Sequence, residues 1–303
     1  MSTPFFTIIT ATYNRASLLP VAIRSVLGQT FNDFEYIIVD DGSTDDTSAV
    51  VASFKDDRIR YVYQSNSERS AARNNGLKLA KGRFICFIDS DDEYLPGFLQ
   101  SFYNYIEQHN FEKAFYYAGS IIDDGIQKLN SNIYSDKKQH PAVWAWHELL
   151  LNCGVCISRD FFELHQFPVQ FNVWEDMHLW LRLLVQYPFY QLPDFLAIVH
   201  QHNDRSINNM FESVDIAHID KYAQSVNHLY NNYRSLISRH LTNEMRRDFL
   251  HDKYWIFAEI AVQKKFNAKA FMLFKRTLRN KPSFLFNPKF IKVFLLMIKK
   301  TLF

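Results

Sequence analysis

The sequence predicts an α/β protein of Rossmann-like type, with a mostly parallel central sheet flanked by helices and a C-terminal helical appendage. Three observations carry that prediction. Four β-rich apolar runs alternate with helical patterns between residues 5 and 110, the arrangement that builds a parallel sheet covered on both faces. Two of the runs end in acids, "VDD" at 39–41 and "DSDDE" at 89–93. From about residue 212 onward only helical periodicity remains.

Each element has its own signal. "FFTIITAT" at 5–12 is a strand, and in the next segment Leu18, Leu19, Ala22, Ile23, Val26 and Leu27 recur at helical spacing. "EYIIVDD" then precedes "STDDTSAVVASF", where Ser43 or Thr44 is expected to cap a helix. "RIRYVYQ" precedes "ERSAARNNGLKLAKG", a helix that Gly82 is expected to end. "RFICFIDSDD" precedes "PGFLQSFYNYIEQH", and "KAFYYAGSIIDDGIQKLN" reads as a further strand and hairpin. Regularity fades until "WEDMHLWLRLLVQYP", where Leu179, Leu183 and Leu184 mark a helix. The expected division is an α/β domain at 1–210 and a helical region at 211–303.

Length and composition suit a folded globular protein, since 303 residues with 48% apolar side chains can bury a sizeable core. Cys86, Cys153 and Cys156 are too few and too unevenly spaced for a disulfide framework, and Cys153 and Cys156 are expected to be packing residues. No apolar signal segment precedes the first strand, so a reduced, cytoplasmic setting is the expectation. Charge is uneven. Residues 260–303 hold 11 Lys or Arg and no acid, leaving 23 basic and 32 acidic side chains in residues 1–259. A basic tail on an acidic body suggests an anionic partner for the tail.

Ligands of open parallel sheets sit beyond the carboxyl ends of the strands, which is where Asp40 and Asp41, then Asp89, Asp91 and Asp92, fall. Crowded carboxylates repel one another unless a cation or ligand donors stabilise them. A hard divalent ion, Mn2+ or Mg2+, bridging to substrate phosphates fits such a set.

"TIITATYNRASLLPVAIRSVLGQTFNDFEYIIVDDGSTDDT", followed by "SERSAARNNGLKLAKGRFICFIDSDDEYLP", resembles the inverting nucleotide-sugar glycosyltransferases of family 2, whose fold is termed GT-A. The resemblance is dense over residues 5–100 and looser to about 205. It implies that Ala11, Thr12 and Tyr13 wall the nucleotide base, that Asp41 accepts from the uracil edge while Asp40 orients the loop, and that Arg69 or Arg73 contacts base or phosphate. Asp89 matches the acid on the ribose, and Asp91, with Asp92 beside it, the metal ligand at the diphosphate. Asp176 matches the general base, with Glu175 as its neighbour. A helix N-terminus there is expected to keep Asp176 ionised. "VHQHNDRS" resembles a loop closing over the diphosphate, which makes His202 and Arg205 candidates and His200 a weaker one. The implied donor is a UDP-sugar, and the implied acceptor a glycan, lipid-linked in many bacterial relatives that build surface polysaccharides.

The tail segment "FNPKFIKVFLLMIKKTLF" interleaves lysines with apolar residues. Its apolar run is too short to span a bilayer. It suits either a helix docked on the protein's own core or one lying on an anionic membrane surface, which would place the enzyme at the cytoplasmic face of the inner membrane. Nucleic acid is not expected as a partner, because the rest of the chain is acidic. A dinucleotide oxidoreductase and a nucleotidyl or phosphosugar transferase are disfavoured, because no glycine-rich loop follows the first strand. The alternative from another class is a non-catalytic nucleotide- or glycan-binding module on the same fold.

Overall fold

In the computed structural model the described residues are 3–131, 133–136, 138–148, 150–202 and 213–302, with side chains described through residue 299. Contacts divide the chain into two compact units, residues 1–201 and 202–303.

The first unit opens with the expected alternation: β1 (Phe6–Thr12), α1 (Leu19–Leu27), β2 (Phe34–Asp40), α2 (Thr47–Ser53), β3 (Ile59–Tyr63), α3 (Glu68–Leu79) and β4 (Phe84–Phe87). After β4 come β5 (Asp92–Tyr94), α4 (Phe98–Gln108), β6 (Phe115–Asp123), β7 (Lys128–Asn130), α5 (Pro141–Glu148), β8 (Val155–Ser158), α6 (Glu175–Leu184) and β9 (Phe189–His200). All nine strands join one sheet in the order β3-β2-β1-β4-β8-β6-β9-β5, with β7 on β6. The pairings among β3, β2, β1 and β4 are parallel, as is β6 with β9. Antiparallel pairing enters where β8 sits between β4 and β6, and where β5 returns onto β9. The sheet is therefore parallel through its first half and mixed in its second.

Helix α1 buries Leu19, Ala22, Ile23 and Val26, the i, i+3, i+4, i+7 set that one face of a helix presents. These side chains meet Phe6, Ile8, Tyr36 and Ile38 in one core cluster. On the other face of the sheet, Phe87, Phe115 and Phe167 surround the buried Trp180 of α6 at centroid distances of 5.8, 5.5 and 5.4 Å. The three cysteines are buried and free.

Two local expectations are corrected. Ser43 and Thr44 do not cap α2. Asp46 holds the N-cap position without a side-chain capping bond, and Asp45 accepts from the Thr47 amide at 3.1 Å. Gly82 does not end α3 either, because Ala80 is its C-cap. Gly82 lies instead against β1, where an added Cβ would stand 2.4 Å from the Thr7 nitrogen and 2.5 Å from the Phe6 carbonyl carbon. Backbone cannot move aside as a side-chain tip can. Gly82→Ala is expected to cost about 1–3 kcal/mol, read as a lower urea midpoint.

In the second unit the helices Asn243–Gln263, Asn267–Asn280 and Pro288–Leu302 meet at Trp255, Phe274 and Phe290, and the preceding helix Ile216–Asn232 is tied to them through Asp220, which accepts from Tyr254 and Arg276. Asp215 and Thr242 cap the first two through their side-chain oxygens. Among the described residues no helix is long and apolar enough to cross a membrane.

Candidate functional site

The carboxyl ends of β1 and β2 meet at a backbone bond, the Asp41 amide donating to the Thr12 carbonyl at 2.8 Å. The two loops beyond are laced together. The Asn14 amide donates to Ser43 Oγ at 2.9 Å, the Thr44 amide to Asn14 Oδ1 at 2.8 Å, and the Ala16 amide to Asp45 Oδ2 at 3.0 Å. Asn14 takes a left-handed conformation (φ 49°) to do this, a cost that Asn tolerates better than most residues. Asp40 holds the turn, accepting from the Ser43 amide (2.8 Å) and the Tyr61 hydroxyl (2.6 Å). Asp41 is buried, and its Oδ1 accepts from Gln64 Nε2 at 2.7 Å and the Ser67 amide at 2.9 Å. Thr12 is buried, Ala11 is half-buried, and Tyr13 is exposed.

At the end of β4, carboxylate oxygens of Asp89, Asp91 and Asp92 lie within 4.8 Å of one another. The turn is tight because the Asp92 amide donates back to the Asp89 carbonyl at 3.1 Å. β5 then pins Asp92 to β9 opposite Val199. Three hard oxygen donors so close suit a divalent ion of the Mg2+ or Mn2+ kind.

Arg73, on α3, joins this turn to α6. Its Nη2 donates to Asp89 Oδ1 and its Nη1 to Glu175 Oε1, both at 2.9 Å. Burial works against the guanidinium charge, but Asp89, Glu175 and Asp176 together hold its pKa above the ordinary value. Arg69, four residues earlier and half exposed, stands 3.9 Å from the same Glu175 oxygen. The segment before α6 is tied to α3 as well. Asn74 exchanges two bonds with the backbone of Phe167, and Ser70 Oγ donates to the Phe171 carbonyl. These bonds explain why α3 buries Ser70, Arg73 and Asn74 rather than an apolar stripe.

Trp174 enters α6 in a left-handed conformation (φ 61°), packed edge-on against Trp146 at 5.5 Å. A non-glycine residue there costs about 1–2 kcal/mol, and the reversal starts the helix at Glu175 and Asp176. Asp176 Oδ1 accepts from the Met177 amide at 2.6 Å. The expectation that the helix N-terminus keeps Asp176 ionised is outweighed. Burial and the Glu175 charge push its carboxyl up to about 7, and Arg73 and the Met177 amide offset them only in part.

The structure thus brings Arg69, Arg73, Asp89, Glu175 and Asp176 into one electrostatic group, with Asp91 and Asp92 in the adjoining turn. His200 ends β9, with Nε2 3.3 Å from Glu93 Oε2. His202 belongs to the second unit, and Arg205 lies outside the described residues. Three features were not read from the sequence. Asn152 is buried and donates to Asp89 Oδ1 at 3.3 Å, Asn14 organises the first loop, and Glu93 pairs with His200. The run "SDDEY" carried a signal for Glu93; nothing local pointed to Asn152.

The signature of glycosyl transferase family 2 matches residues 7–161. An uncharacterized glycosyltransferase of Rickettsia conorii is 32% identical over 184 residues, covering 58% of this chain, and the chain spans only 29% of that relative's length. The UDP-Glc:alpha-D-GlcNAc-diphosphoundecaprenol beta-1,3-glucosyltransferase WfgD of Escherichia coli is 34% identical over 181 residues, which cover 58% of this chain and 68% of WfgD. In fold, the chain is similar to residues 1–349 of S. aureus TarS, solved with UDP-GlcNAc (TM-score 0.61, 16% identity, 91% of this chain and 88% of that one). It is also similar to the mannosyltransferase PcManGT of Pyrobaculum calidifontis, solved with GDP-Man and Mn2+ (TM-score 0.58, 16% identity, 99% and 87% covered). Taken with the acidic strand ends and the sheet that presents them, these matches mean that the chain belongs to glycosyl transferase family 2.

Proposed function

We propose that the chain transfers a sugar from a UDP-sugar to a lipid-linked glycan acceptor, inverting the anomeric carbon, in bacterial surface polysaccharide synthesis. One observation carries the mechanism: Arg73 bonds at once to Asp89 of the acidic turn and to Glu175 beside Asp176. A donor-side acid and a candidate base are thereby held against the same buried cation. The acceptor reading draws on WfgD, whose name specifies a diphosphoundecaprenol-linked acceptor.

In this reading the uracil lies between the loops after β1 and β2. Tyr13 offers a ring face, and Asp41 accepts from the base N–H, which cytosine lacks. Asp89 accepts from the ribose, and Asp91 with Asp92 would hold Mn2+ or Mg2+. When bound, such an ion neutralises charge on the departing nucleoside diphosphate. Asp176 takes the proton from the acceptor hydroxyl as that oxygen attacks the anomeric carbon. The new C–O bond forms on the face opposite the breaking bond to phosphate, and no covalent sugar–enzyme intermediate is needed. A carboxyl poised near neutrality by burial is suited to this, because a base works best with a pKa near the operating pH.

Titration calorimetry of UDP with and without Mn2+, on the wild type and Asp91→Ala, tests the donor site. Binding that needs the metal and is lost in the variant is expected. No UDP binding under either condition would overturn the uridine assignment, and binding without transfer to any glycan would favour the non-catalytic module.

A further inference from the structure

We propose that the outer face of the C-terminal helix Pro288–Leu302 is a docking surface for an anionic lipid bilayer. The helix has two apolar faces, and its own unit uses one. Phe290 and Met297, seven residues apart, are buried, and Phe290 packs against Trp255 and Phe274 at 6.0 and 5.3 Å. Ile291, Leu295 and Ile298 follow the same helical spacing on a different face, and all three are exposed, Leu295 at 58%. Phe286, in the turn before the helix, is 80% exposed. Beside this stripe runs an apolar groove of about 330 Å³, lined among others by Phe271, Leu278, Leu285, Ile291 and Leu295.

Charge decides the occupant. Residues 260–303 contain 11 Lys or Arg and no acid. Some of these cations are committed within the unit, Lys281 to Asp248 and Lys289 to Glu259. Lys292 and Lys299 are exposed and form no ion pair among the described residues. They flank the stripe at i+1 from Ile291 and from Ile298. A second copy of this face would set like charges together, and a nucleic acid would have no use for Leu295 and Phe286. An anionic bilayer satisfies both sets at once, taking the apolar side chains to the acyl boundary and the ammonium groups to the lipid phosphates. The surface stands on its own residues and does not depend on the acceptor reading.

Flotation of the full chain with vesicles tests it. Binding is expected to vesicles containing phosphatidylglycerol and not to pure phosphatidylcholine, and to weaken in high salt. Lys292→Glu/Lys299→Glu should cut binding by more than about thirtyfold, because losing each basic residue at an anionic surface is worth about a factor of five and each new Glu adds repulsion. Phe286→Ser/Leu295→Ser should reduce it as well. Both variants should keep the wild-type circular dichroism and UDP affinity, which separates loss of docking from loss of fold or of the donor site. No binding to anionic vesicles, or binding indifferent to both double variants, would overturn the proposal. So would a concentration-dependent dimer abolished by Phe286→Ser/Leu295→Ser, because that assigns the face to a second copy.

Discussion

Asp176→Asn is expected to lower kcat by about 10²–10⁴-fold, the range for loss of a positioned general base, while leaving UDP affinity near the wild-type value. The same substitution should raise stability at pH 8. Asp176 in the folded protein holds its proton up to about 7, because burial and Glu175 disfavour the charged form, whereas an unfolded Asp releases it near 3.9. A raised carboxyl contributes stability that is fully present below the unfolded value and lost as pH rises through the folded one. At pH 8 the wild type bears the full cost of a charge in a poorly solvated place, and Asn removes it. A gain of about 1–2 kcal/mol is expected, the usual size for relieving one such unfavourable group. Thermal melts of both proteins at pH 5 and pH 8 check this: the advantage of Asn should be larger at pH 8 than at pH 5, where the unfolded Asp is already mostly ionised and only part of the cost is present. The wild-type kcat/KM should rise with pH through a limb well above the ordinary carboxylate value and no higher than about 7. An unchanged kcat in Asp176→Asn would remove Asp176 from the role of base.

The first half of the fold was legible because its information is local. From β1 to β4 each strand is a short apolar run and each helix follows at once, so periodicity and order together imply a parallel sheet. The second half depends on partners distant in sequence. β5 and β8 are only three and four residues long, too short for alternation to register. β9 contains Pro193, which strands tolerate only at edges or bulges, and Asp194, a residue type depleted in strands. The strand continues by bulging there, its register against β6 shifting between Tyr117–Gln191 and Gly119–Phe195. Gly119 permits the close approach, since a Cβ at that position would stand 2.5 Å from the Phe195 ring. The acids of the site could be read as motifs, because turn acids are consecutive in sequence. Their environment could not. Burial of Asp176, which reverses the expected effect of its helix terminus, comes from tertiary packing that no neighbouring residue announces.

Arg73 is the clearest case of a role hidden from the sequence, and its removal is expected to have the largest effect on stability. The resemblance implies only that Arg69 or Arg73 contacts base or phosphate, whereas the bonded partners of Arg73 lie 16 and 102 residues away. Arg73→Met should destabilise the first unit by about 3–5 kcal/mol, because breaking a buried ion group strands the remaining charges. Glu175 is left with a side chain only 4% exposed, and Asp89 loses a 2.9 Å donor. The sign of the pH dependence follows. The Asp176 pKa is held up by burial and Glu175 and drawn down by Arg73, so without the guanidinium Asp176 should bind its proton more readily still in the folded variant, and the deficit should shrink as pH falls toward 5 and widen above 7. Urea unfolding at both pH values measures it. Arg73→Lys should recover only part of the loss, since a single ammonium lacks the planar fork that donates to two carboxylates in different directions. Equal stability of wild type and Arg73→Met would mean that the ion group does not hold α3, the acidic turn and α6 together. Asp176 would then have to owe its position to the Trp174 reversal and the Asn74 and Ser70 bonds alone.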